Sequence, residues 1–170
     1  FHSLGLRPRE LAGDDVETYK PQHENLRNAM FQMGGIEALG SILLSGACQR
    51  YPDFRFVLGE CGISWIPFAL ERLDAAFAEK RGDFATDLTG KPSEFWHQHG
   101  HSTYQDEQSV ATVLELVGED RVIWGSDYPH PDSVWPESQS VIERNLSGLP
   151  EEKRRKIICE NAGRLYGFIR

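Results

Sequence analysis

Two short apolar runs restrict the folds open to this sequence. FRFVLGE at 54–60 and RVIWGSD at 121–127 each pass through small residues and stop on an acid, Glu60 or Asp127. Short, continuously apolar strands are typical of parallel sheets that helices cover on both faces. Strands that run in parallel end at the same edge of the sheet. The pattern therefore predicts an α/β fold in which both acids lie at one edge.

Segments with helical periodicity separate these runs. Helices are predicted to begin at Gly35 and near residues 66, 110, 137 and 150, and a weaker strand is predicted at 99–105. In a single domain over 1–170, this order favours a (β/α) barrel or an open doubly wound sheet. No glycine-rich phosphate loop follows any strand, which argues against a nucleotide-binding sheet.

Composition excludes several classes of partner. The net charge of −8 over 170 residues argues against nucleic acids and anionic membrane surfaces, which need a basic face. No apolar run approaches the roughly 20 residues that cross a bilayer. Three widely spaced cysteines form no disulfide framework, so we expect reduced thiols and a cytoplasmic location.

The residues at the strand ends carry the chemistry of interest. Glu60 and Asp127 suit metal ligation, general-base catalysis or orientation of a water molecule, but each acid could also cap the next helix. His130 lies between two prolines just after Asp127. It could bond Asp127, contact a substrate or lie at the rim of the site.

Histidines occur at two further places. His97, His99 and His101 alternate as they would on one face of a strand, but the first two precede the predicted strand. We therefore expect surface or rim positions for them rather than metal ligation, with His101 the best candidate to point inward. If Phe1 ends a strand, His2 lies at a third strand end.

Three segments resemble one family in combination. RVIWGSDYPHPDSVWP (121–136), YPDFRFVLGECGISWIPFALERLD (51–74) and IICENAGRLYGF (157–168) are similar to the amidohydrolase-2 family, relatives of aminocarboxymuconate-semialdehyde decarboxylase. The resemblance implies a distorted (β/α)8 TIM barrel with one divalent metal at its carboxyl edge, usually zinc, with manganese as an alternative. It aligns Asp127 with the strand-eight aspartate and His2 with the strand-five histidine, which makes both metal ligands. The strand-one HxH pair of the family has no counterpart.

The resemblance also implies a reaction. Glu60 replaces the histidine of decarboxylase-type members, which favours a hydrolase that acts on a small carboxylated or cyclic organic substrate through a metal-activated water. Asp127 would be the general base, with Glu60 and His130 orienting water or substrate. Apolar walls would come from Trp65, Tyr128 and Trp135, and Arg7 or Arg9, in a loop at 7–28, would bind a substrate carboxylate. A decarboxylase and a non-catalytic half-barrel that serves as an interaction module are the alternatives.

The expected extent of the barrel follows from the chain length. A (β/α)8 barrel needs about 250 residues, and the motifs account for strands five to eight only. We therefore expect the C-terminal half of a barrel, whose N-terminal half is missing from this sequence. Exposed sheet edges promote association, so the expected partner is that missing half or a second copy of the chain.

Overall fold

The computed structural model describes residue 26 and residues 30–79 and 87–169. His2, Arg7, Arg9 and the strand predicted at Phe1 lie outside the described residues, as does nearly all of the loop predicted at 7–28. In the described part, each of the three strands is followed by one or more helices. The helices are α1 Gly35–Leu44, α2 Ala47–Arg50, α3 Ile66–Glu79, α4 Pro92–His99, α5 Val110–Val117, α6 Ser138–Leu146, α7 Glu151–Arg155 and α8 Asn161–Leu165.

The sheet is parallel, as the apolar runs predict. Strands β1 (Phe56–Leu58), β2 (Gly100–Tyr104) and β3 (Val122–Trp124) lie side by side in chain order. Leu58 pairs with Ser102, and Ser102 pairs with Val122. Each strand reaches the next through helices, which is the connectivity of consecutive units in a (β/α) barrel. The α/β class is confirmed.

The core lies between the sheet and these helices. The core includes Leu39, Leu58, Ile66 and Leu114. Each of these residues is at most 1% exposed. Trp96 is fully buried, and its Nε1 donates a hydrogen bond of 2.8 Å to the carbonyl of Val117, so its one polar atom is satisfied. This bond ties the end of α5 to α4.

Helix α4 is the main element that the sequence interpretation missed. It begins at Pro92, a residue favoured at the first helical position, and the Glu94 carboxylate accepts a hydrogen bond of 3.0 Å from the Lys91 backbone N–H. His97 and His99 therefore lie on a helix and do not alternate along a strand with His101. A smaller difference is a break in the first predicted helix at Gly46, which has φ 74° and separates α1 from α2.

The C-terminal segment is fastened to the sheet by one buried side chain. A π-helical turn, Lys156–Glu160, joins α7 to α8. Asn161 Nδ2 then donates hydrogen bonds of 2.7 Å to the carbonyls of Glu119 and Val122. Among the described helices, none has both the length and the apolar character needed to cross a membrane.

Candidate active site and metal centre

A cavity of about 430 Å³ opens at the carboxyl edge, the end of the sheet where the three strands finish. All three strand ends contribute to it, together with the segment before α1. Its lining residues are Phe31, Gln32, Gly59, Glu60, Gly62, Thr103, Tyr104, Gln105, Gly125, Asp127, His130 and Asp132. The two acids that end the apolar runs thus face one cavity, as predicted.

Both acids have an unusual backbone conformation. Glu60 has φ 56° and Asp127 has φ 62°, and within the described residues they are the non-glycine residues with positive φ. The left-handed region costs an L-residue about 1–2 kcal/mol, and less for Asp than for Glu. Strain of this kind concentrates at functional sites, where the surrounding structure enforces it. It also argues against simple helix capping, for which the N-cap residue normally adopts the β region.

Strand β2 holds the Glu60 turn in place. The Glu60 backbone N–H donates a hydrogen bond of 2.8 Å to Thr103 Oγ1, and the Gly62 N–H donates one of 3.0 Å to the Thr103 carbonyl. Beyond this turn, the Glu107 carboxylate accepts hydrogen bonds of 2.9 Å from the N–H groups of Ile63 and Ser64. The loop after β1 is therefore anchored to β2 and to the loop that follows it.

The loop after β3 positions Asp127 and His130 together. The His130 N–H donates a hydrogen bond of 2.9 Å to the Asp127 carbonyl, which closes a tight turn. The peptide bonds Tyr128–Pro129 and Trp135–Pro136 are cis. Gln105 Nε2 donates a hydrogen bond of 2.7 Å to the Asp132 carbonyl and so joins this loop to the end of β2.

The side chains of Glu60, Asp127 and His130 converge. One ligand atom from each lies within 4.8 Å of the other two. Burial and the negative charge of Glu60 raise the pKa of Asp127, and the charge of His130 opposes this shift. Two carboxylates and one imidazole are a donor set that suits first-row divalent metals. A cation would also relieve the repulsion between the acids, so the residues present fit a divalent metal.

The predicted wall residues lie in different environments. Trp65 is only 8% exposed, does not line the cavity and packs in the core, with its Nε1 donating a hydrogen bond of 2.6 Å to the Cys61 carbonyl. Its indole lies against Gly35, so in this structure Trp65 is a core residue and not a wall of the cavity. Tyr128 and Trp135 are 66% and 60% exposed and form an edge-to-face pair with ring centroids 5.9 Å apart, outside the cavity lining.

The three clustered histidines lie away from the acids. His97 is exposed on α4, whereas His99 is buried and its Nδ1 lies 2.8 Å from the Phe54 carbonyl. The expectation of a surface or rim position is therefore wrong for His99, because the unrecognised helix α4 turns it inward. His101 is 6% exposed, in agreement with its predicted inward orientation.

Several lining residues were not identified from the sequence. Thr103, Tyr104 and Gln105 stand at the end of β2, and Phe31 and Gln32 precede α1. The first three could have been found by applying the strand-end argument to the weaker strand as well. Phe31 and Gln32 carry no comparable signal, because their position depends on how α1 packs.

Comparison with known proteins gives a consistent result. A family model described as amidohydrolase matches residues 28–168. The 4-sulfomuconolactone hydrolase of Hydrogenophaga intermedia is 39% identical over 72 residues, which are 39% of this chain and 24% of that protein. The 2-amino-3-carboxymuconate-6-semialdehyde decarboxylase of Dictyostelium discoideum is 25% identical over 135 residues, 77% of this chain and 36% of that protein. The chain thus aligns with well under two thirds of either relative.

Solved structures share the fold. The dihydroxybenzoic acid decarboxylase from Polaromonas sp. JS666, solved with bound manganese and the inhibitor 2-nitroresorcinol, superposes with a TM-score of 0.69 at 20% identity. The match covers 97% of this chain and 49% of that one. Similarity at this level of identity concerns the fold alone, which is that of amidohydrolase TIM-barrel proteins.

Proposed function

The chain belongs to the amidohydrolase family, and we propose on that premise that it is part of a metal-dependent hydrolase for a small carboxylated or cyclic organic substrate. The observation that carries the proposal is the convergence of Glu60, Asp127 and His130, with one ligand atom of each within 4.8 Å of the others. Relatives of known activity include the 4-sulfomuconolactone hydrolase. A lactone that carries an acidic group belongs to the proposed substrate class.

Asp127, with Glu60 and His130, would hold the metal, and His2 is proposed as a further ligand. Zinc is the first candidate, and manganese is the alternative that the Polaromonas enzyme illustrates. A bound divalent cation supplies Lewis-acid chemistry and lowers the pKa of a coordinated water towards neutrality.

The residues of this chain would move the proton and orient the reactants. Asp127 is proposed as the general base that takes a proton from water and returns it to the leaving group. Its carboxylate borders the cavity and can accept a proton from a water bound there, which suits this role. Glu60 and His130 would fix the water or the substrate through hydrogen bonds.

Substrate contacts are proposed for the rim. The exposed edge-to-face pair of Tyr128 and Trp135 offers an apolar surface beside the cavity. Arg7 is proposed to bind a substrate carboxylate, since a guanidinium forms paired hydrogen bonds with that group. The rest of the barrel, or a second copy of the chain, would complete the cavity.

Decarboxylation is the second candidate. The similarity to the Dictyostelium decarboxylase extends over 77% of this chain, so the same site could release carbon dioxide from an aromatic or muconate-like acid. Glu60 argues for hydrolysis, because a carboxylate presents the opposite charge to a protonated histidine. Product analysis separates the two reactions: ring-opened acid indicates hydrolysis, and carbon dioxide indicates decarboxylation.

The first test is the metal content of the purified chain by elemental mass spectrometry, normalised to protein. We expect about one zinc or manganese per chain after equilibration with metal and removal of the excess. Asp127→Asn and Glu60→Gln should each reduce this content strongly. Glu115→Gln, on the exposed face of α5, is the matched control and should retain the metal. No retained metal in the unmodified chain, or equal content in all four proteins, would contradict the proposed centre.

A further inference from the structure

The end of the sheet opposite to the acids has the opposite charge. Arg55 immediately precedes β1, His99 immediately precedes β2, and Arg121 immediately precedes β3. Since the three strands are parallel, the residues before them meet at the amino edge, the end of the sheet where the strands begin. Two arginines thus lie at this edge of a chain with net charge −8, with Asp120 beside Arg121.

These groups line a second cavity, of about 610 Å³, which we call the basic cavity. Helices α2 and α4 form its sides. Its lining residues are Cys48, Gln49, Pro52, Arg55, Thr89, Phe95, His97, Gln98, His99 and Arg121. No carboxylate belongs to this lining, as far as the described residues show.

The Arg55 guanidinium is fixed in place by the backbone. Its Nη1 donates hydrogen bonds of 2.9 Å to the Pro52 carbonyl and 2.7 Å to the Phe54 carbonyl. Neither Nε nor Nη2 has a hydrogen bond to another described residue. Part of a pre-oriented guanidinium therefore remains available to an acceptor in the cavity, at little further cost in conformational entropy.

Arg121 is half-buried. Burial lowers its pKa, the charge of the nearby Asp120 opposes this shift, and the charge of Arg55 adds a smaller lowering. The Asp120 carboxylate lies 3.3 Å from Lys156 Nζ and forms its salt bridge there. Over residues 30–79 and 87–169, neither Arg55 nor Arg121 has a salt bridge. Asp120 offsets part of the cost of burying Arg121, and an anion held between Arg55 and Arg121 would compensate both cations directly.

We propose that the basic cavity binds a small oxyanion, of the phosphate or polycarboxylate class, between Arg55 and Arg121. The guanidinium groups of Arg55 and Arg121, from the starts of β1 and β3, both line the space, and His97 adds a further hydrogen-bonding group at its wall. The ligand binds at the opposite end of the sheet from the acid cluster. It is therefore neither the substrate nor the metal of the proposed hydrolase site, and the two proposals can fail separately.

Isothermal titration calorimetry of the full chain tests this, with inorganic phosphate and citrate as probes at constant ionic strength. The chain is first freed of metal with a chelating resin and kept in chelator-free buffer, so that neither anion can bind through a metal at the carboxyl edge and no chelator competes for the basic cavity. We expect one site per chain, and about ten-fold weaker binding in Arg121→Gln and in Arg55→Gln, since each loses charge-assisted hydrogen bonds. Tighter phosphate binding assigns a phosphorylated ligand, and tighter citrate binding assigns a polycarboxylate.

Arg72→Gln, on the exposed surface of α3, is the matched control and should bind as the unmodified chain does. Circular dichroism of each variant verifies that it is folded. If Arg121→Gln is unfolded, the exposed Arg55→Gln alone decides the outcome. Absence of binding by the unmodified chain, or equal affinity in all four proteins, would overturn the proposal.

Discussion

A carboxylate oxygen of Glu60 and one of Asp127 lie within 4.8 Å of each other at the carboxyl edge of the sheet, although both residues are acids. Each acid also has a left-handed backbone. Burial and the negative charge of Glu60 both raise the pKa of Asp127. The metal-free site therefore combines two unfavourable features, like charges close together and strained backbone, which a divalent cation would partly offset.

Removing one of the two charges should stabilise the metal-free protein and weaken metal binding. We expect Glu60→Gln to raise the free energy of unfolding in EDTA by up to about 1 kcal/mol, a value limited by solvent screening of these partly exposed groups. Urea denaturation monitored by circular dichroism measures this. With saturating zinc or manganese the order should reverse, because the variant gains less from the metal. A Glu60→Gln protein less stable than the unmodified chain in EDTA would show that the acids do not repel.

Thr103 provides a test that leaves all proposed ligands unchanged. Its Oγ1 accepts the Glu60 N–H at 2.8 Å, so Thr103→Val keeps the shape of the side chain and leaves that N–H without its acceptor. We expect a loss of about 1–2 kcal/mol in the free energy of unfolding and weaker metal binding. Thr112→Val, exposed on α5, should change neither. Unchanged metal affinity in Thr103→Val would show that Glu60 is held in place by other contacts.

Much of the fold was predictable because its signals are local. Glu60 and Asp127 were placed at one edge of the sheet because each ends a short apolar run and parallel strands end together. Helix α5 was predicted with its observed bounds, Val110–Val117, because its apolar residues follow helical spacing up to Gly118. The residue types alone left open whether His130 bonds Asp127, contacts a substrate or lies at the rim. Its place in the cavity lining depends on the turn in which its N–H bonds the Asp127 carbonyl.

The remaining features depend on tertiary contacts or on ambiguous local signals. Helix α4 was missed although Pro92 occupies the first helical position, because its eight residues are few and the alternating histidines at their end favoured an extended segment. The burial of Trp65 depends on its approach to Gly35, a residue 30 positions earlier. The positive φ of Glu60 has no sequence signal, since glutamate is not a residue that favours this conformation.

Position 100 should not tolerate any side chain, because Gly100 lies directly against Trp96. A Cβ at Gly100 would lie 2.2 Å from Trp96 Cε3, and Trp96 is fully buried. We therefore expect Gly100→Ala to lower the free energy of unfolding by about 1–3 kcal/mol or more. At Gly40 in α1, the nearest side-chain atom, from Leu73, would lie 3.6 Å away. Gly40→Ala should instead stabilise the protein by up to about 1 kcal/mol, and thermal unfolding of both variants checks the contrast.

The burial of His101 should make the fold sensitive to acid. Burial, followed by the charges of Arg121 and Arg55, lowers the pKa of His101 from 6.5 to about 4, and its Nδ1 has no hydrogen-bond partner among the described residues. Above pH 6.5 this histidine is neutral in both the folded and unfolded states and has no effect on the pH dependence of stability. As the pH falls from 6.5 towards 4, the unfolded chain takes up a proton that the folded chain excludes, so stability is lost over this range.

From pH 7.5 to pH 4.5 this difference amounts to about 2–3 kcal/mol. His101→Leu should remove that part of the acid sensitivity, as measured by urea denaturation at the two pH values. His97→Gln, at an exposed position on the neighbouring helix, should retain most of it. If the unmodified chain and His101→Leu lose the same free energy of unfolding between these pH values, His101 is not held neutral in the folded protein. The acid sensitivity would then come from other groups.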